Sequence, residues 1–188
     1  MQGPAIQPPR PNSCTYWVSS RVLAGEHPTD RRGIETTKRK LRQYLKLGVT
    51  VFIDLTEPGQ KMDYQDLLQE LAMEIPESDP ANSLEYYRLS VPDFDIPTVE
   101  GMQQILDTMD AAVARDKTIY VHCAGGIGRT GTTVGCYLVR HGNDGETALK
   151  EVDRLFQNSD RSQESWTSPE TRQQMDFVRK WCDESKNP

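Results

Sequence analysis

The sequence predicts a single α/β domain with a central, mainly parallel sheet flanked by helices and a helical C-terminal third. Three observations predict it: β-rich runs alternate with helical periodicity up to residue 121, helical patterns alone follow residue 128, and no linker or internal repeat divides the chain. A chain of 188 residues with 36% apolar and 27% charged residues can bury one sizeable core, which indicates a soluble globular protein.

The strands are predicted from short runs of β-branched and aromatic residues. The longest run, VTVFIDL, is continuously apolar, which is typical of a strand buried on both faces of a parallel sheet. The predicted strands span residues 16–18, 22–25, 49–55, 84–90 and 118–121. Prolines bracket the segment 92–97, which therefore indicates a loop.

The helices are predicted from apolar residues spaced three and four apart. Met102, Ile105, Leu106 and Met109 show this spacing clearly. The predicted helices span residues 34–47, 63–74, 98–115, 130–141, 145–157 and 169–183. Pro169 suits the first turn of the last helix, and the polar stretch 76–83 is expected to be a loop.

Composition and termini exclude several classes of protein. A net charge of -6 argues against a broad surface for nucleic acid or an anionic membrane, and no run reaches the ~20 apolar residues of a membrane helix. We expect a flexible Pro-rich tail over 1–13, without a signal peptide, and one domain over 14–188. The cysteines are Cys14, Cys123, Cys136 and Cys182. Their wide spacing indicates neither a zinc site nor a disulfide scaffold, so a reducing cytoplasm is the expected location.

The segment HCAGGIGRTG, residues 122–131, carries the chemistry. It follows a predicted strand and opens a helix, whose first N–H groups and dipole favour an anion. Its glycines allow successive N–H groups to face one point, and the planar fork of Arg129 can hold two phosphate oxygens. The predicted phosphate-binding residues are Ala124, Gly125, Gly126, Ile127, Gly128 and Arg129. Phosphate, sulfate or vanadate is expected to occupy this loop.

Cys123 begins the same loop, so its sulfur is expected at the centre of the converging N–H groups. These groups would stabilise a thiolate, which is the nucleophilic form of cysteine. The alternative is an inert buried thiol at the end of a strand. The glycine-rich loop and Arg129 favour the nucleophile.

The pattern H-C-x5-R-T resembles the signature of the protein tyrosine phosphatase superfamily, and its surroundings resemble the small atypical dual-specificity phosphatases. The resemblance covers most of residues 15–182. Its other parts are the opening strands at 16–25, the segment 54–57, the acid loop Pro92-Asp93-Phe94 and the helix start at 168–174. The resemblance implies a phosphatase that forms a phosphocysteine intermediate and needs neither a metal nor an organic cofactor.

The resemblance also implies roles for the residues around the loop. It places the general acid directly after Pro92, which favours Asp93 over Asp95. His122 is expected to point into the fold and to hydrogen-bond backbone around the loop and the thiolate. Thr130 is expected to reach the sulfur of Cys123 and assist its departure, the alternative being an ordinary threonine at a helix N-terminus.

Five further residues receive no central role. Gln174 is interpreted as a surface glutamine, with the ordering of the hydrolytic water as the alternative. Cys136 and Cys182 are expected in the core. Asp54 and Glu57 follow a central strand and are the next candidates if neither loop carboxylate is the acid.

The expected substrate is a phosphorylated protein or a small phosphomonoester. No Lys or His lies between Cys123 and Arg129, where phosphatases of inositol phosphates and phosphoinositides often carry a cation. The loop therefore favours phosphotyrosine, with phosphoserine and phosphothreonine as further substrates, and an inositol-phosphate or phosphoinositide phosphatase as the alternative.

Two other functions share part of the pattern. Gly126, Gly128 and Gly131 satisfy the dinucleotide fingerprint G-x-G-x-x-G, but the required strand and acidic residue after the helix are absent from the sequence. A phosphate-binding module without catalysis is disfavoured because the cysteine, the arginine and the acid are all present.

Overall fold

A computed structural model describes residues 9–74, 83–161 and 166–181. The strands are β1 (Thr15–Trp17), β2 (Val22–Gly25), β3 (Val49–Asp54), β4 (Glu85–Arg88) and β5 (Thr118–His122). The helices are α1 (Ile34–Lys46), α2 (Gln65–Met73), α3 (Val99–Ala114), α4 (Gly128–Arg140), α5 (Gly145–Gln157) and α6 (Arg172–Lys180). The predicted α/β class, with a helical C-terminal third, is confirmed.

The sheet has the strand order β1-β2-β5-β3-β4, and only β1 runs antiparallel to its neighbour. Apolar side chains cover both faces. On one face Leu41 and Leu68, from α1 and α2, pack with Phe52, whereas helices α3 to α6 contribute the larger cluster on the other face. Burial on both faces explains why β3 and β5 read as continuous apolar runs. In open parallel sheets, ligands bind beyond the carboxyl ends of the strands. The carboxyl end of the central strand β5 is thus the expected position for a site.

The last helix differs from the prediction. It begins at Arg172, with Thr171 as its N-cap, so Pro169 lies before the helix and not in its first turn. The Thr171 side chain accepts from the Gln174 N–H, and the Gln174 side chain accepts from the Thr171 N–H. This reciprocal pair supplies the start signal that the sequence analysis attributes to proline.

Two other predicted boundaries differ from those in the structure. Helix α4 begins at Gly128, two residues earlier than predicted, and β4 is shorter than the predicted 84–90. Residues 76–82, Cys182 and the tail segment 1–8 lie outside the described residues. Within the expected tail, Arg10 donates to the Thr15 carbonyl and Asn12 donates to the Tyr44 hydroxyl.

None of the described helices is both long and apolar enough to cross a bilayer.

Candidate active site

The loop between β5 and α4 curls tightly around the sulfur of Cys123. Gly126 has φ 75°, and a Cβ built there would lie 2.4 Å from the carbonyl carbon of Gly25, so only glycine fits. This conformation directs the Gly126 N–H at Cys123 Sγ, with N···S at 3.3 Å. The buried sulfur therefore lies where a backbone donor stabilises negative charge.

The far side of the loop is fixed by the segment that precedes α6. Ser168 Oγ donates to the Ile127 carbonyl at 2.8 Å, and a Cβ built on Gly128 would lie 2.8 Å from Gln174 Oε1. Ala124 and Gly125 are only half-buried. The loop is thus held rigidly at its helical end and opens to solvent over its first residues.

Arg129 is 2% exposed, and one edge of its guanidinium is hydrogen-bonded to three acceptors of the protein. Nη1 donates to the carbonyls of Leu55 (3.4 Å) and Val91 (3.0 Å) and to Gln60 Oε1 (2.8 Å). Nη2 lies 2.8 Å from Asp93 Oδ1. The anchored edge orients the arginine, and the edge that a phosphate could approach is the one that faces Asp93.

The two competing carboxylates of the acid loop lie in different surroundings. Asp93, 46% exposed, pairs with Arg129 through Oδ1 and accepts from Gln60 Nε2 through Oδ2 at 2.9 Å. Asp95 instead accepts from Gln173 Nε2 through Oδ1 (3.1 Å) and from Gln174 Nε2 through its carbonyl (3.1 Å). The structure therefore brings Asp93, and not Asp95, against Arg129.

Gln60 is a site residue that the sequence analysis missed. It lies in the loop after β3 and is half-buried between Arg129 and Asp93, contacting both. In the sequence, only its position directly after a predicted strand could have indicated this role. The carboxyl ends of the parallel strands β3 and β5 meet at the same edge of the sheet. The residue type does not indicate this contact, because a glutamine in a polar turn is usually exposed to solvent.

His122 points into the fold, behind the loop. Its Nδ1 lies 3.3 Å from the Cys123 carbonyl, which only accepts, so Nδ1 carries the proton and Nε2 accepts from the Tyr64 hydroxyl at 2.6 Å. Burial lowers the pKa of His122 to about 3. A neutral imidazole therefore ties the backbone of the loop to α2 and its preceding loop.

Asp54 is buried at the end of β3 and faces away from solvent. Burial opposes its ionisation, but the neighbouring His27 and the hydrogen bonds from Thr56 outweigh burial and hold the pKa of this carboxyl well below its usual range. Ligand atoms of His27, Asp54 and His122 lie within 4.8 Å of one another. The Asp54 oxygens already accept from the Thr56 N–H and hydroxyl and from the Tyr86 hydroxyl. His27 Nε2 lies 3.8 Å from Asp54 Oδ2 and is buried without a hydrogen-bond partner among the described residues.

Three further expectations can be compared with the structure. Thr130 is buried, and within the described part of the chain its hydroxyl has no hydrogen-bond partner, so the expected bond to Cys123 Sγ is not formed in this state. Gln174 is fully buried and not on the surface, because its amide caps α6. Cys136 lies in the core, where burial raises the pKa of its thiol.

Comparisons with known proteins identify the family of the chain. A family model described as "Polymorphic toxin system, DSP-PTPase phosphatase" matches residues 28–143. Protein tyrosine phosphatase domain-containing protein 1 of Mus musculus is 26% identical over 125 residues, which are 65% of this chain and 16% of that protein. Dual specificity protein phosphatase CDC14B of Mus musculus is 39% identical over 57 residues, 30% of this chain and 11% of that protein. The chain thus spans about a sixth or less of these curated relatives.

Solved structures share the fold over most of the chain. Tk-PTP in its active form has a TM-score of 0.68 at 23% identity and covers 88% of this chain and 94% of its own. PTPMT1 in complex with PI(5)P has a TM-score of 0.63 at 18% identity, covering 88% and 92%. Since the family model spans more than half of the sequence, the chain belongs to the DSP-PTPase phosphatases of the protein tyrosine phosphatase superfamily.

Proposed function

We propose that this phosphatase hydrolyses phosphomonoesters through a phosphocysteine formed on Cys123. The observation that carries the proposal is the convergence of the Gly126 N–H on Cys123 Sγ, next to a helix N-terminus and a rigidly held Arg129. Together these groups provide a nucleophile and a binding site for the oxygens of one phosphate.

In the first step the Cys123 thiolate attacks phosphorus in line with the leaving oxygen. The loop N–H groups and Arg129 hold the equatorial oxygens, where charge is concentrated. A sulfur–phosphorus bond forms, the phosphorus–oxygen bond breaks, and Asp93 donates a proton to the departing oxygen. Asp93 suits this role because it is solvent-accessible and lies beside Arg129.

In the second step water attacks the phosphocysteine, Asp93 accepts its proton, and the thiolate departs. The Thr130 hydroxyl could donate a hydrogen bond to that thiolate. It is buried at the start of α4 and has no other hydrogen-bond partner among the described residues. No metal or organic cofactor takes part in either step.

The substrate we favour is phosphotyrosine in a protein, with phosphoserine and phosphothreonine as further substrates. Phe94 follows the acid with a backbone φ of 59°, and its side chain is 61% exposed. The exposed ring offers an aromatic surface for the phenol ring of the substrate. One structural neighbour, TpbA of P. aeruginosa, is described in complex with pTyr. We place the enzyme in a reducing cytoplasm, where a catalytic thiol persists.

A lipid or inositol phosphate is the second candidate substrate. The structural neighbour PTPMT1 is described in complex with PI(5)P, and phosphatidylglycerophosphate phosphatase PTPMT1 of Arabidopsis thaliana is 29% identical over 102 residues, 54% of this chain and 27% of that protein. Both candidates use the same loop and the same covalent chemistry.

The test replaces the nucleophile. Cys123→Ser should abolish turnover of every phosphomonoester while retaining affinity for phosphate or vanadate, because the loop and Arg129 remain. Turnover is measured on phosphotyrosine, phosphoserine and phosphothreonine peptides and on phosphatidylinositol phosphates. Activity near the wild-type rate in Cys123→Ser would end the covalent mechanism, and a clear preference for the lipids would replace the favoured substrate.

A further inference from the structure

Three potential metal ligands, His27, Asp54 and His122, lie together behind the phosphate loop. His27 follows β2, and the other two are the last residues of β3 and β5. Their ligand atoms lie within 4.8 Å of one another. His27 Nε2 is 3.8 Å from Asp54 Oδ2, and His122 Nδ1 is 3.9 Å from Asp54 Oδ1. Ligand atoms around a tetrahedral Zn²⁺ lie about 3.3 Å apart, so these two separations need to shorten by only about 0.5 Å.

The second observation that points to a ligand is the free ring nitrogen of His27. The side chain is 2% exposed, and within the described residues its Nε2 is buried without a hydrogen-bond partner. If Nε2 carries the hydrogen, 3.8 Å to Asp54 is too long for a hydrogen bond. If Nδ1 carries it, Nδ1 donates to Thr29 Oγ1 at 2.8 Å and gives up the 3.3 Å contact from the Thr29 N–H. The Nε2 lone pair then faces a carboxylate, and a cation between them would stabilise both.

The other two ligands also have the outer partners that metal ligands in proteins usually have. Asp54 Oδ1 accepts from the N–H and the hydroxyl of Thr56. His122 Nε2 lies 2.6 Å from the Tyr64 hydroxyl. These hydrogen bonds orient the carboxylate and the imidazole, and they leave His122 Nδ1 directed at the cluster.

The protonation states suit a cation. Despite burial, the neighbouring His27 and the hydrogen bonds from Thr56 hold the pKa of the Asp54 carboxyl well below its usual range, so it is ionised. Burial lowers the pKa of His122 to about 3, so its imidazole is neutral. On metal binding the Nδ1 hydrogen of His122 moves to Nε2, which then donates to the Tyr64 oxygen. The cluster therefore binds a cation without losing a proton from either residue.

Arg88 is the cation that competes for the same carboxylate. Its Nη2 lies 3.4 Å from Asp54 Oδ2 and 3.1 Å from Asp63 Oδ2. The Asp63 contact is the shorter one and lies nearer to solvent, since the Asp63 side chain is 59% exposed. Arg88 can therefore keep Asp63 as its partner when a metal takes the Asp54 oxygen.

We propose that His27, Asp54 and His122 bind one Zn²⁺ ion, which regulates the phosphatase from behind its loop. Two imidazole nitrogens and one carboxylate oxygen suit Zn²⁺, whereas Mg²⁺ and Ca²⁺ prefer oxygen ligands alone. The ion takes no part in the covalent chemistry on Cys123. The sequence analysis looked for zinc among the cysteines, and this site contains none.

Zinc at this position would act on the first residues of the phosphate loop. His122 Nδ1 donates to the Cys123 carbonyl at 3.3 Å, and this bond is lost when Nδ1 binds the metal. The His27 N–H donates to the Ala124 carbonyl at 3.3 Å, so a shift of His27 also reaches the loop. The loss of one neutral hydrogen bond predicts a kcat about fivefold lower in the zinc form. This effect on turnover rests on the proposed function, whereas zinc binding does not.

The first experiment measures zinc in Cys123→Ser, which removes the reactive thiolate as a competing ligand. Because the cluster is buried, the full chain is produced in zinc-containing medium, and metal is measured on the folded monomer. We expect about one zinc per chain. His27→Phe keeps a ring against Tyr64 and removes both nitrogens, so its zinc content should fall to near zero. His141→Phe is the matched control, because His141 is partly exposed and lies outside the cluster, and it should retain the metal. Cys123→Ser without zinc, or with zinc that persists in His27→Phe, overturns the proposal.

A milder variant keeps the test valid if His27→Phe does not fold. Thr29→Val removes only the hydroxyl that holds Nδ1, and it should weaken zinc affinity ~10–100-fold in competition with a chromophoric chelator. Unchanged affinity would contradict the role of His27 as a ligand. Co²⁺ is the spectroscopic probe of the site. An intense thiolate-to-metal band would place the ion on a cysteine and overturn the assignment, whereas weak visible bands alone support it.

The last experiment tests the effect on turnover. The wild type is produced with and without zinc and assayed on p-nitrophenyl phosphate in EDTA, which strips the accessible loop faster than the buried cluster. We expect kcat about fivefold lower for the zinc form, and no difference between the two preparations of His27→Phe. Equal rates in the wild type would overturn regulation and leave the zinc site. A wild type that never hydrolyses p-nitrophenyl phosphate would overturn the proposed function, while the zinc content still decides the site.

Discussion

Gln60 joins the phosphate-binding arginine to the expected general acid. Its Oε1 accepts from Arg129 Nη1 at 2.8 Å and its Nε2 donates to Asp93 Oδ2 at 2.9 Å, while Asp93 Oδ1 lies 2.8 Å from Arg129 Nη2. Only a group that both accepts and donates can bridge a cation and a carboxylate in this way. We predict that Gln60→Met, which keeps the length of the side chain and removes both bonds, lowers kcat/KM about tenfold.

The magnitude follows from the burial of the two partners. A hydrogen bond to a charged group contributes ~1.5–3 kcal/mol. The bond to Arg129 counts at the lower end, because Nη1 keeps the carbonyls of Leu55 and Val91 as acceptors. The bond to Asp93 adds little, since that carboxylate is 46% exposed and solvent screens it. About 1.4 kcal/mol corresponds to a factor of ten in rate.

Gln60→Glu separates the two contacts. Its carboxylate still accepts from Arg129 but faces Asp93 with a like charge, so the acid is driven away from the site. The loss should therefore be larger for a phosphotyrosine peptide, whose leaving group needs a proton, than for p-nitrophenyl phosphate, whose leaving group does not.

The assay is kcat/KM on both substrates, with Gln104→Met on the exposed face of α3 as the matched control. A Gln60→Met enzyme within twofold of wild type would refute the bridging role. So would a Gln60→Glu enzyme whose loss is the same for both leaving groups.

Further predictions concern the acid loop, the phosphate loop and the sheet edge. Asp93→Asn should slow hydrolysis of a phosphotyrosine peptide by ~10²–10⁴-fold and that of p-nitrophenyl phosphate much less, whereas Asp95→Asn should change neither; the reverse pattern would exchange their roles. Gly126→Ala should lose phosphate binding, because φ 75° and a 2.4 Å contact exclude a methyl group; unchanged vanadate affinity would contradict this. Hydrogen bonding to Arg115 lowers the pKa of Glu85 to about 2, so its stabilisation is present above ~4.3, the unfolded value, and is lost as pH falls toward 2. Glu85→Gln should flatten that part of the Tm profile, and parallel melting curves would argue against it.

The part of the site that the sequence predicted is local in the chain. His122, Cys123, Arg129 and Thr130 lie within nine consecutive residues, where a strand, a glycine-rich turn and a helix start are each indicated by nearby residues. The alternation of strands and helices predicted the sheet for the same reason. The roles of these residues in catalysis remain predictions.

The missed features depend on contacts between distant segments. Gln60 contacts Arg129 from 69 positions away along the chain, and no local pattern marks it. Gln174 was interpreted as a surface residue because polar side chains are usually exposed. In the structure it is buried because its amide satisfies the backbone at the start of α6 and at Asp95.

The geometry of Arg129 also sets an order of events for the proposed mechanism. Three acceptors fix Nη1, so the guanidinium cannot rotate to meet a substrate, and a phosphate must approach the edge where Asp93 now lies. A dianion with several acceptor oxygens competes well for that edge against one half-exposed carboxylate. Once displaced, Asp93 no longer pairs with Arg129, and its carboxyl is free to reach the leaving oxygen. Substrate binding would thus prepare the acid, and the Gln60 bond keeps Asp93 close enough to act.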